Sequence, residues 1–271
     1  MLQYDFMRNA FAAAGIVAVV AGVVGYFLVL RGQTFAGHAL AHVGFTGATG
    51  AALVGIAPLW GLVAMTVAAG IGMGAIGERG LAQRDVAIGI VLALSLGFGL
   101  LFLHFYTAYA TQATTLLFGN VLAVDRRTVW VLARLGAASL ALLGIISRPL
   151  LFASLQPELA EAKGVSLPLY SVLFLAIVAL ATAECAQIVG VLLVFALMVG
   201  PAAAAQRLCG AVAAGVVLAA ALGLAEAWAG IAAAYYTDWP TSFWITALSA
   251  AAYLAAVVAE RLRRPGMLGP L

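Results

Sequence analysis

Charge is scarce in this sequence: Asp, Glu, Lys and Arg make up 8% of its 271 residues. Soluble domains carry roughly a quarter of their residues charged, so a soluble fold is excluded. No polar stretch is long enough to form a separate domain. Lysine occurs once, as Lys163 between Ala162 and Gly164. The chain therefore holds no P-loop, because that Gly-rich phosphate cradle ends in Lys followed by Ser or Thr. A zinc protease needs His-Glu-x-x-His, and the nearest approach, His38 to His42, has Ala39 where the glutamate base belongs. No nucleophile elbow and no Ser, His and Asp set stands out. The chain reads as a non-enzyme. There are two cysteines, Cys185 and Cys209, and the span assignment below puts them on opposite membrane sides, so no disulfide is expected.

What the chain does have is apolar length. It is 65% hydrophobic with a mean hydropathy of +1.13. Runs long enough for a bilayer fall near 8–30, 36–56, 59–77, 86–106, 128–147, 169–184, 187–206, 211–234 and 242–260. The sequence thus predicts an all-α, polytopic membrane bundle over 1–271 as a single domain. It has nine spans, or eight if 169–206 is one broken helix. The first run has no basic start and no clear small-residue cleavage site, so no signal peptide is expected. With nine spans, Arg31, Arg79, Arg84, Arg148, Lys163, Arg207, Arg261, Arg263 and Arg264 share one side, and Arg8, Arg126 and Arg127 share the other. That asymmetry puts the N-terminus outside and the C-terminus in the cytoplasm. It also accounts for the net charge of +3 without a nucleic-acid partner. Membrane lipid is the expected surround.

Small residues crowd the spans, as at Gly44, Gly47 and Gly50 and at Gly70, Gly72, Gly74 and Gly77. They let helix backbones approach closely and imply a compact bundle, with no bearing on substrate. No internal repeat of the kind that builds secondary transporters is evident. Two residues do bear on substrate. His38 and His42 are four apart, so a helix points both imidazoles at one face. Ionisable rings within a membrane are functional candidates by default, and this is a metal-ligand spacing.

The remaining polar groups have plainer readings. Glu226 and Arg134, both mid-span, are expected to neutralise each other. Glu184 is placed at an external turn, either as an interfacial residue or as a relay ligand. His104 ends the fourth span externally near Tyr106 and Tyr109, either solvated or as a further ligand. Asp238, Trp239 and Pro240 form an external turn with an aromatic anchor. The segment 150–168 is a polar cytoplasmic insert in which Pro157 suits the start, and Gly164 the end, of a short helix.

Taken together, the blocks Val29-Leu30-Arg31, Phe35-Ala36-Gly37-His38-Ala39-Leu40-Ala41-His42 and Gly47, then Leu117-Phe118-Gly119-Asn120, Pro157-Glu158-Leu159-Ala160 to Gly164-Val165, and Val189-Gly190-Val191-Leu192-Leu193-Val194 to Gly200-Pro201-Ala202-Ala203-Ala204 resemble, in order, the zinc and manganese ABC-importer permeases. The resemblance implies a homodimeric permease that docks a cytoplasmic ATP-binding subunit and receives Zn2+ or Mn2+ from an extracytoplasmic solute-binding protein. It implies no permanently bound cofactor. In that family the position of His38 is usually Asp, so His42 carries over directly and His38 by substitution. Two neutral imidazoles suit zinc, whereas a carboxylate tilts a site toward manganese. Across a dimer axis the pair becomes four imidazoles, enough for a tetrahedral ion. Glu158, Ala160 and Gly164 are the expected coupling residues toward the ATPase. The rival reading is a proton-coupled secondary metal carrier using Glu184 and Glu226 as relays.

Overall fold

A computed structural model describes residue 1 and residues 3–75, 81–105, 117–119 and 121–263. Among these residues the chain is helical, with no strand. It runs α1 (Asp5–Leu30), α2 (Thr34–Leu53), α3 (Pro58–Ala75), α4 (Leu81–His104), α5 (Arg126–Leu155), the short α6 (Pro157–Ala162), α7 (Leu167–Val189), α8 (Val194–Leu208), α9 (Val212–Thr237) and α10 (Thr241–Arg263). Eight of the described helices are long and apolar enough to cross a membrane. α2 is 20 residues long and is not among them, because its histidines and threonines lower its hydropathy.

Contacts at the helix ends give the direction of each crossing. At one end of the bundle the Arg31 guanidinium donates to the Ser154 hydroxyl at 2.7 Å and lies 5.5 Å from the Phe174 ring centre. The Gln206 amide donates to the Tyr26 carbonyl at 2.9 Å at the same end, and Arg207 pairs with Glu260 at 2.7 Å. The ends of α1, α5, α8 and α10 and the start of α7 therefore lie together, on the side rich in arginine. At the other end Arg8 and Arg126 line one cavity. Arg79, Arg264, Tyr106, Tyr109, Asn120 and Gly77 lie outside the described residues. Because α7 leaves the arginine-rich end and α8 returns to it, 169–206 is two antiparallel crossings. The termini then fall on opposite sides, as the arginine asymmetry requires.

α1 is the central post. It packs against α5, α7, α8 and α9, while α2 packs on α3 and α4, and α3 on α7. Its burial is nearly continuous from Ala13 to Leu28. Small residues make these approaches possible. A Cβ added at Gly70 would stand 2.6 Å from the Leu175 carbonyl oxygen, and one at Gly74 2.5 Å from the Val172 Cα. At Gly47 it would run into the Gly61 backbone. Asp125 caps α5, its carboxylate accepting from the Thr128 N–H at 2.8 Å. Hydrogen bonds from Thr128 hold that carboxyl below the usual range.

α7 and α8 are separated at Gly190, whose φ of 77° is cheap only for glycine, and by the 3-10 turn Val191–Leu193. Gly119, at φ 76°, lies directly against it. A Cβ on either would collide with backbone of the other segment. Two of the blocks noted in the sequence are thus one backbone-on-backbone crossing. Replacing Gly190 with Ala should cost about 1–2 kcal/mol in backbone conformation alone and more from the collision. A melting temperature in detergent lowered by several degrees is the expected result, and an unchanged one would contradict the crossing.

Candidate metal site

His38 and His42 lie four and eight residues into α2, about 6 and 12 Å from its cationic end at the rise of a helix. Their rings meet edge to face with centroids 4.8 Å apart. A zinc ion held at about 2.0 Å by one nitrogen of each ring, in tetrahedral geometry, would separate the centroids by about 5 Å. The observed spacing fits with little movement. His42 is 7% exposed, and its buried Nδ1 has no hydrogen-bond partner among the described residues. That is the state of a ring nitrogen with coordinating capacity to spare, since buried polar atoms are otherwise nearly always satisfied. His38 is half-buried, and its ring lies edge to face with that of Phe195, the centroids 5.7 Å apart. Phe195 was not singled out from the sequence; a lone Phe in an apolar span carries no signal of its own.

The other proposed ligands do not join this pair. Glu184 is inside α7 and fully buried, at 0% exposed, which overturns its placement at an external turn. The helix continues to Val189, five residues past the expected end of the span. Its Oε1 accepts from the Ser139 hydroxyl at 3.3 Å, its Oε2 has no hydrogen-bond partner among the described residues, and it faces Gly136 of α5. Its carboxylate thus belongs to the contact between α5 and α7. His104 is exposed and stacks edge-on with Phe105. α2 and α4 run parallel, with Gly99 against Phe45 and Gly50 against Phe102, so His104 lies well over two helical turns beyond His42. Among the described residues no group of three His, Cys, Asp or Glu side chains is placed to hold a metal. One chain thus offers two ligands.

Glu226 and Arg134 do not pair. Arg134 lies on an exposed face of α5, while Glu226 is 5% exposed on α9, beside Ser249 of α10, and no ion pair joins them. A mid-span position says nothing about which way round the helix a side chain points. Both cysteines are free. The external turn after α9 is built as expected: Asp238 takes a left-handed φ of 57°, and Trp239 stacks on Trp244 at 5.7 Å.

The cytoplasmic insert forms the short helix predicted for it, with Pro157 in its first turn and Gly164 at φ 81° beyond its end. Its faces are the reverse of the expected coupling surface at one position. Ala160 is 0% exposed and is covered by the permease itself, so it is not a partner contact. Glu158 and Gly164 are exposed, and so are Leu155 at 64% and Leu159 at 46%.

A family model described as the ABC 3 transport family matches residues 3–260. Over 231 residues the chain is 31% identical to the manganese transport system membrane protein MntC of Halalkalibacterium halodurans, covering 85% of this chain and 79% of that one. Over 203 residues it is 33% identical to the manganese import system permease protein ScaB of Streptococcus pneumoniae, covering 75% and 72%. Its fold is similar to a chain of PsaBC from Streptococcus pneumoniae in complex with Fab, with a TM-score of 0.84 at 27% identity over 94% of this chain and 92% of that one.

The burial of Ala160 has a direct consequence. Ala160→Arg should destabilise the permease by about 3 kcal/mol or more, since it overpacks a closed site and buries an unpaired charge. Glu158→Ala, on the open face, should leave stability unchanged. Thermal unfolding of the two purified variants distinguishes them, and equal melting temperatures would place Ala160 on the surface after all.

Proposed function

The chain belongs to the ABC 3 transport family and is a multi-pass protein of the bacterial cell membrane, and on that premise we propose that it is the permease of an ATP-driven importer of Zn2+ or Mn2+. The observation that carries the metal assignment is the edge-to-face pair of His38 and His42, with an unsatisfied ring nitrogen inside the membrane. Its relatives named above are described as manganese systems. Ligand chemistry points differently here: imidazole at both positions favours zinc, while a carboxylate in place of one ring would favour manganese. Zinc is therefore the first choice of cargo, and manganese the second.

Two ligands do not make a tetrahedral site, and a second copy of the chain related by a two-fold axis would supply the other two. The half-buried flank of His38 beside Phe195 is where such a partner would approach. Hydrolysis of ATP belongs to a separate cytoplasmic subunit, since the chain holds no P-loop, and the metal is delivered by an extracytoplasmic binding protein. A transport site must release its ion, so affinity is expected to be modest. Membership of an ABC family removes the reason for a proton-coupled secondary carrier, and uptake that persists without ATP would restore it.

In liposomes carrying the assembled complex, His38→Ala and His42→Ala should each reduce uptake of radiolabelled zinc to background while the complex still assembles. Undiminished uptake by both variants would remove the site. His38→Asp should move the zinc-to-manganese ratio in competition toward manganese; a constant ratio would mean that selectivity is set elsewhere.

Force from the ATPase must enter through the insert, and its open face carries Leu155, Glu158 and Leu159. Leu159→Arg should therefore yield a folded permease that co-purifies poorly with its ATPase or hydrolyses ATP without transport. Normal association with normal coupled uptake would reduce α6 to a linker.

A further inference from the structure

At the end of the bundle with fewer cations, the first turns of α1 meet the start of α5 around a cavity of about 620 Å³, lined by Asp5, Arg8, Asn9, Ala12 and Arg126. Arg126 is exposed, and Arg8 has only a long contact of 3.8 Å with Asp5, both side chains being largely in solvent. Such a pair is worth little, so two guanidiniums are available at this rim. The cavity does not end there. Ala12 also lines a second hollow of about 550 Å³, almost wholly apolar, that runs down the outer surface from Phe11 to Val20 of α1.

This groove exists because α5 and α9 stand apart over α1. Its floor is kept low by Gly15 and Gly136. A Cβ at Gly15 would stand 3.0 Å from the Trp228 indole nitrogen, and one at Gly136 2.8 Å from the Val20 side chain. Trp228 forms one wall and is fixed by donating from its indole N–H to the Phe11 carbonyl at 3.1 Å. From Phe11 to Val20 the groove follows about 14 Å of helix, roughly the half-thickness of a hydrocarbon core. A polar, net-positive head cavity thus opens into an apolar channel that descends one leaflet.

We propose that this composite hollow binds one anionic glycerophospholipid of the outer leaflet. The phosphate lies between Arg8 and Arg126, the headgroup hydroxyls reach Asn9 and Asp5, and one acyl chain lies along α1 beneath Trp228. Two guanidiniums against one carboxylate leave a single positive charge, which matches a phospholipid of charge −1 and disfavours a zwitterionic one. Basic pockets between transmembrane helices recognise anionic headgroups in this way. The site is separate from the histidine pair, which lies at the opposite end of the bundle, and it does not depend on the identity of the cargo.

The test is native mass spectrometry of the full-length chain in its assembled complex, exchanged into detergent with phosphatidylglycerol or phosphatidylethanolamine. The wild type should retain about one phosphatidylglycerol per protomer, with a preference over phosphatidylethanolamine of about tenfold. Arg8→Ala with Arg126→Ala should abolish the preference, whereas Arg127→Ala, just outside the cavity, should keep it. Ala137→Trp, on the exposed side of the groove, should reduce retention of both lipids by filling the channel. No preference in the wild type, a preference that survives the double substitution, or equal loss with Arg127→Ala would overturn the proposal. So would protection against unfolding by inorganic phosphate alone as strong as that by the lipid.

Discussion

The close approach of helix backbones through glycine and alanine is the constraint on which the rest of this structure depends. Lipid offers no hydrophobic drive between helices, so association comes from packing and from the few hydrogen bonds between spans. α1 meets four neighbours along a face that is alanine and glycine for most of its length. The same economy of side chains leaves polar groups few and isolated. Where one is buried, its surroundings are built by a neighbour's missing side chain, as Gly136 leaves room beside Glu184.

Non-helical backbone inside a membrane survives only where protein covers it. The break between α7 and α8 meets that condition through Gly119, which lies against Gly190 and leaves no room for a side chain on either. The break segment also packs on α2, and Phe195, one residue into α8, touches His38. The crossing, the break and the histidine pair are therefore mechanically contiguous. A movement of the 117–119 segment has a short path to His38.

Local features were legible in the sequence, and those that depend on distant partners were not. The shared face of His38 and His42 follows from a spacing of four on one helix. The short helix of the insert was readable from Pro157 and Gly164. The burial of Glu184 was not readable, because it depends on where α7 ends and on Ser139 and Gly136 of α5. Ala160 lies on a helix six residues long, where only tertiary contact decides which side is covered. The pairing expected of Glu226 and Arg134 failed for the same reason, since depth in the membrane leaves the direction around the helix undetermined. Gly119 and Gly190 were both within blocks that carried the family resemblance, yet their contact spans 71 positions of sequence and appears only in the fold.

The central claim is that cargo metal is held by imidazole nitrogen from α2 within the membrane. X-ray absorption spectroscopy of the zinc-loaded complex, freed of its binding protein, addresses it most directly. The account predicts nitrogen scatterers at about 2.0–2.1 Å with the multiple-scattering pattern of imidazole, lost when both histidines are replaced by alanine. Zinc surrounded by oxygen alone, or an imidazole signal that persists in the doubly substituted protein, would contradict it.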